Sequence, residues 1–266
     1  MKYMATTRSD SQAFGVLQRY LDPPNTGLSL EHATALIHEL LDPVGPGKPI
    51  EYPRGAFGHV VIEVAQQIPH SHPAKDHLAR LIQRLTQSTQ SSDLEKPQEE
   101  YGHNAHASQI NHPAQFEPST SAQAYYVDLS AFLARLTADG VISSPSWAVS
   151  TMCETLEENS SENPENYSER ISGATVWFLY PAPCLFRTVV QEPPAEDETD
   201  SSFSCGLFYT GPTLGMERWR FWQKALVAVE GSRANAECQQ LAPKAADVME
   251  PLVQHSLGEL VEIHLI

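Results

Sequence analysis

Apolar residues recur along this chain at intervals of three and four, the period of a helix buried on one side. Phe14, Leu17 and Leu21 share a face of a segment beginning near Ser11, and Asp22-Pro23-Pro24 stops it. Ser29 is placed to cap a helix carrying Leu30, Ala33, Ile37, Leu40 and Leu41. A connector rich in proline and glycine follows over 42–53. Phe57, Val60, Val61, Val64 and Ile68 then resume the helical spacing until Pro69 ends it. Pro73 suits the first turn of the next helix, whose apolar side holds Leu78, Leu81, Ile82 and Leu85.

The second half repeats the pattern. Leu129, Phe132, Leu133 and Leu136 form a stripe with Gly140 as its C-terminal stop. Ser144-Pro145 opens a helix with Val149, Met152 and Leu156 on one side. A segment from Ser172 carries Val176, Trp177, Leu179 and Tyr180, and Pro181 and Pro183 break or kink it. Thr213 opens a helix with Met216, Trp219, Trp222, Leu226 and Val229. The last helix holds Leu241, Ala245, Val248, Met249 and Leu252, its length limited by Pro243 and Pro251. The spacing predicts an all-α fold, a single-domain irregular bundle of about eight helices spanning 1–266. Residues 86–123 read as a long polar loop, and 157–171 and 191–203 as acidic loops.

Composition narrows the classes of function. The 266 residues include 17 Lys+Arg against 33 Asp+Glu, a net charge of -16. That charge argues against nucleic acid and against an anionic membrane surface. No stretch approaches the roughly 20 apolar residues of a membrane span. The first ten residues have no apolar run behind their charges, so no signal peptide is expected and the location is expected to be cytoplasmic. Six glutamates lie between Glu154 and Glu169 and five more carboxylates between Glu192 and Asp200, all without an intervening basic residue. They read as solvated surface, since the Asp/Asn spacing with a central glycine that a calcium loop needs is absent.

The motifs of common chemistries are missing. Cys153, Cys184, Cys205 and Cys238 are too widely spaced for a zinc ribbon and read as four reduced thiols. There is no phosphate-cradling glycine loop, no Gly-x-Ser-x-Gly elbow and no His-Glu-x-x-His pair. The expectation is therefore no metal and no cofactor. His59 and Glu63 stand four apart on one helix, and His70, His72 and His77 follow a tight turn. The His70-Ser71-His72-Pro73 run reads equally well as a helix start whose polar groups cap free backbone N–H groups.

Aromatic residues are the remaining candidates. Trp219 and Trp222, and likewise Trp177 and Tyr180, are three apart and share a helix side. Core packing is the ordinary role of such pairs. Arg135 follows Phe132 by three, which places a charge near a buried face, with Glu63 or Asp128 as natural ion-pair partners.

Three ordered segments carry a family resemblance. They are VVIEVAQQIPHSHPAKDHLARLIQRL (Val60 to Leu85), AYYVDLSAFLARLTADGV (Ala124 to Val141) followed by SWAVSTMCETLEE, and GMERWRFWQKAL (Gly215 to Leu226) followed by LAPKAADVMEPL. Their helix ending in Ile-Pro-His, Phe-x-x-Arg-Leu helix and Trp-x-x-Trp helix resemble the fungal family of domain of unknown function 3632. The resemblance implies a fungal, helical, intracellular protein and implies no agreed activity, so no catalytic residue is carried over from it.

Two functions of different class fit these features. One is a cofactor-independent cyclase of the pericyclase type, acting on an apolar polyene, terpenoid or polyketide-like intermediate of specialised metabolism. In that reading Tyr126, His59 and Arg135 assist catalysis, while Trp177, Tyr180, Trp219, Trp222, Phe132 and Glu63 hold the substrate. The other is a non-catalytic helical module that binds a protein partner or small ligand. Monomer and homodimer both remain open.

Overall fold

The computed structural model describes residues 7–22, 27–41, 54–90, 120–142, 145–158, 164–191, 203–229, 232 and 234–263. Ten α-helices and no strand are found among them, two more helices than the apolar spacing predicts. They gather into two compact units, Met1–Ser143 and Ser144–Ile266, where the sequence pattern suggests one domain.

The first unit contains α1 (Arg8–Leu21), α2 (Leu30–Leu41), α3 (Arg54–Gln66), α4 (Ala74–Gln90) and α5 (Thr120–Ala138). Its helix starts are chemically explicit. Thr7 caps α1 by accepting from the Asp10 N–H at 3.1 Å, while the Asp10 carboxylate accepts from the Thr7 N–H at 2.9 Å. The Ser29 hydroxyl accepts from the His32 N–H at 3.2 Å, as its position predicts. At the other end of α5, Gly140 takes φ 68°, and Val141 N–H reaches back to the Leu136 carbonyl at 2.9 Å. The core of this unit includes Leu17, Ile37, Phe57, Val64, Leu78, Leu81 and Phe132.

The second unit contains α6 (Pro145–Met152), α7 (Pro164–Leu179), α8 (Ala182–Phe186), α9 (Met216–Val227) and α10 (Ala236–Ile263). Two short π-helical turns, Cys153–Glu157 and Arg187–Gln191, follow α6 and α8. Helix α10 packs on α7 and α9, and Trp177, Trp219 and Trp222 are all in the core.

Several boundaries differ from the sequence reading. The polar segment 86–123 is helical over 86–90 and 120–123, and 91–119 lies outside the described residues. The acidic segment 157–171 is not a loop throughout. Helix α7 begins at Pro164, and a proline lacking N–H suits a helix N-terminus. Glu157 is fully buried instead of solvated, because an arginine meets it. Of 191–203, residues 192–202 lie outside the described residues. Helix α10 continues through Pro243 and Pro251. Each proline removes one donor from the helix; the apolar side that includes Ala242, Ala245, Ala246 and Met249 remains buried.

Candidate functional site

The turn between α3 and α4 builds the chemically most unusual site of the first unit. Helix α3 ends at Gln66, leaving carbonyls without helical donors. His72 turns its Nδ1 onto the Ala74 N–H at 3.1 Å and so caps α4, which bears out the capping role read from its sequence. Lys75, the second residue of α4, then points inward and is fully buried. Its Nζ donates to the Ala65 carbonyl at 2.9 Å and to the Asp128 carbonyl at 2.5 Å. The Asp128 carboxylate lies 4.0 Å from Nζ. On the same oxygen, also at 4.0 Å, stands the His70 Nδ1.

Electrostatics at Lys75 are one-sided. Burial pushes its ammonium down to about 7; Asp128 opposes the shift and the Arg135 cation adds to it. A lysine at the first turn of a helix also faces the positive end of the helix dipole. The result is an amine that exchanges a proton near neutrality, a property of general-base and imine-forming lysines.

Arg135 locks the frame of this site. Its Nε donates to Asp76 Oδ1 at 2.5 Å, its Nη1 to the Ala131 carbonyl at 3.0 Å and its Nη2 to the His70 carbonyl at 3.0 Å. Among the described residues Arg135 pairs with Asp76, which lies on α4 directly beside the turn that Arg135 also grips, where the sequence points to Glu63 or Asp128.

The nine residues singled out from the sequence divide between the units. His59, Glu63, Tyr126, Phe132 and Arg135 belong to the first. His59 is half-buried and Glu63 exposed on α3; Tyr126 is half-buried on α5; Phe132 is in the core. Arg135 touches the Lys75 cluster, through the His70 carbonyl and Asp76. Trp177, Tyr180, Trp219 and Trp222 belong to the second. Sequence reasoning missed Lys75. The signal was present as a lysine among Ala74, Leu78 and Ala79, apolar positions that turn the start of α4 inward.

In the second unit the aromatic residues interlock. Trp219 meets Phe178 and Phe186 edge-to-face at 5.4 and 5.0 Å, and lies 6.5 Å from Trp222. Trp177 packs against Trp147 at 6.0 Å. Tyr180 is half-buried at the end of the segment. The Trp222 indole N–H donates to Glu157 at 2.6 Å, while those of Trp177 and Trp219 are buried without an acceptor among the described residues.

Glu157 and Arg218, both fully buried, organise the loop after residue 202. Arg218 Nη1 donates to the Phe203 carbonyl at 2.6 Å and to the Thr213 carbonyl, and Nη2 to the Ser204 carbonyl at 2.9 Å. The Gly206 N–H donates to Glu157 Oε2 at 2.8 Å, and the Phe208 N–H to the Glu157 carbonyl at 2.8 Å. The loop so fastened leaves Leu207 and Phe208 82% and 58% exposed.

Other chemistries gain no support. Burial raises the thiol of Cys153 to about 12, with Glu157 adding to the shift, and burial raises that of Cys238 to about 11, so neither is poised as a nucleophile. Among the described residues no three His, Cys, Asp or Glu side chains cluster as a metal site. No helix among them is long and apolar enough to cross a membrane.

No curated protein and no solved structure matches the chain. The family model described as protein of unknown function (DUF3632) matches residues 59–226, well over half of the sequence. The matched stretch contains His70, Lys75, Asp76, Asp128 and Arg135, together with Glu157 and Arg218. The chain accordingly belongs to the DUF3632 family.

Proposed function

We propose that this protein is an enzyme that moves protons on a small, largely apolar carbonyl compound, with the Lys75 amine as its base. The reading keeps the cofactor-independent cyclase or isomerase class and relocates its centre from the aromatic residues to the α3–α4 turn. One observation carries it: a fully buried lysine shifted to about 7 stands next to the Asp128 carboxylate and, through it, His70. A base of that strength removes a proton α to a carbonyl at neutral pH, and ring closure of a polyketide-like chain follows from the resulting enolate. Asp128 and His70 return the proton. The interlocked tryptophans of the second unit serve as its core in this scheme.

The test compares cells that carry the wild-type chain, the Lys75→Met variant or neither. A metabolite present only with the wild type, with Lys75→Met still folded by circular dichroism, supports the reading. Identical metabolites in all three abandon it.

A second reading is favoured by Leu207 and Phe208, two adjacent large apolar side chains held out by a fastened loop. Such a presentation suits docking of a protein partner. Retention of activity by Leu207→Ser/Phe208→Ser in the metabolite comparison separates it from the Lys75 chemistry.

A further inference from the structure

We propose that Lys75 is a carbonyl-condensing amine, which captures a small neutral aldehyde as an imine with Asp128 and His70 handling the protons. The inference rests on the Lys75 reading above and adds a covalent step to it. Geometry supports that step in three ways. Two backbone carbonyls, those of Ala65 and Asp128, hold Nζ in place, while the Asp128 carboxylate pairs with it at 4.0 Å, beyond direct hydrogen-bond distance and within reach of a proton once the amine reacts. The side chains of His70 and Asp128 are 15% and 12% exposed, so the cluster meets solvent along that edge although Lys75 itself does not. The Arg135 guanidinium is engaged by Asp76 and by the Ala131 and His70 carbonyls. A cation for an anionic tail is therefore committed elsewhere, which favours a neutral aldehyde over a keto acid.

The chemistry balances without a co-reactant. The neutral amine attacks the aldehyde carbon, the C–N bond forms, and the carbonyl π pair moves to oxygen. Asp128 accepts a proton from nitrogen, and protonated His70 supplies one to the oxygen. Asp128 returns its proton to the hydroxyl, which leaves as water while the nitrogen lone pair forms the C=N bond, and the remaining nitrogen proton passes to His70, so both groups end as they began. One amine and one aldehyde give one imine and one water.

The test uses the full-length wild-type protein with butyraldehyde and cyanoborohydride, which reduces the imine to a stable secondary amine located by peptide mass spectrometry. Lys224 and Lys244, both exposed, serve as internal controls. Near pH 7 an ordinary lysine is neutral only roughly once in 2,500, whereas burial leaves about half of Lys75 neutral. The expected result is at least about tenfold more adduct on Lys75 than on either control at that pH, levelling off above it while the controls keep rising. Side-chain NMR of labelled lysine, run in parallel, fixes where Lys75 titrates. No Lys75 adduct with titration near 7 overturns the imine and leaves the proton-transfer reading standing. No adduct with titration near an ordinary lysine's value overturns both.

Discussion

Glu157 and Arg218 form a doubly hydrogen-bonded ion pair, Nε to Oε1 at 2.6 Å and Nη2 to Oε2 at 3.0 Å, with neither side chain exposed. The pair is also saturated. All five guanidinium N–H groups meet an acceptor, three of them the Phe203, Ser204 and Thr213 carbonyls. The carboxylate in turn accepts from Trp222 and Gly206. A buried charge is tolerated when every donor and lone pair is met, and breaking one partner leaves the other stranded. Glu157→Ala is expected to lower stability by about 3–5 kcal/mol. Arg218→Lys is expected to recover little, because an ammonium cannot reproduce the planar fork. All four tryptophans belong to the second unit, so their fluorescence during urea unfolding reports on this pair. A loss below about 1 kcal/mol, the range of a surface pair, contradicts the account.

Lys75 makes an opposite kind of prediction, one of slope. Its value is about 7 in the folded chain against 10.5 for an ordinary lysine. Between those limits the unfolded chain binds more protons than the folded one, so stability rises with pH. The burial penalty is fully present below about 7 and is relieved as pH climbs toward 10.5. Lys75→Met lacks this titration. The stability difference between wild type and variant is therefore expected to shift in favour of the wild type by up to about 5 kcal/mol across that window. Urea unfolding followed by far-ultraviolet circular dichroism at a series of pH values checks it. Parallel curves for the two proteins refute the shift.

The two sites differ in how far the sequence discloses them. Helical period, Ser29, Gly140 and the Pro181/Pro183 break are local signals, and the structure follows them. His72 as a cap was legible for the same reason: its partner is two residues away. Arg135 announces itself as a charge three residues from Phe132, but its partner Asp76 lies 59 residues earlier, and no local rule selects it over Glu63 or Asp128. Glu157 is less legible still. It sits in a run of glutamates, and only the approach of Arg218, 61 residues away, turns it from solvated surface into core. Lys75 is hidden by the convention that lysine marks the outside of a helix. Trp177, Trp219 and Trp222 lie on helices as the spacing predicts, and Tyr180 falls one residue past the end of α7; spacing along a helix does not reveal how rings meet, whereas the contacts of Trp219 with Phe178 and Phe186 do.

Gly206 is fixed by proximity. A Cβ built there meets the Glu157 Cβ at 2.7 Å and its carbonyl oxygen at 2.8 Å, so the loop backbone has to withdraw. Withdrawal removes the Gly206 N–H from Oε2. Gly206→Ala is expected to cost about 1–3 kcal/mol and to hasten proteolysis between Phe203 and Thr213. An unchanged digestion pattern shows that the loop does not depend on this contact.

The two tryptophans of α9 are expected to respond differently to the same change. Trp222 satisfies a lone pair of Glu157 at 2.6 Å, and phenylalanine in its place leaves a buried carboxylate oxygen short of a donor. That loss is expected to cost about 1–3 kcal/mol beyond the change in packing. Trp219 has no acceptor for its N–H among the described residues, so phenylalanine there removes a buried polar group with no partner. Its cost is confined to lost ring contact with Phe178 and Phe186. Both residues are buried to a similar degree, which cancels most of the size effect between the two variants. Urea unfolding of Trp222→Phe and Trp219→Phe should therefore place the first below the second by more than about 1 kcal/mol. The reverse order means that Glu157 is held by Arg218 and Gly206 alone.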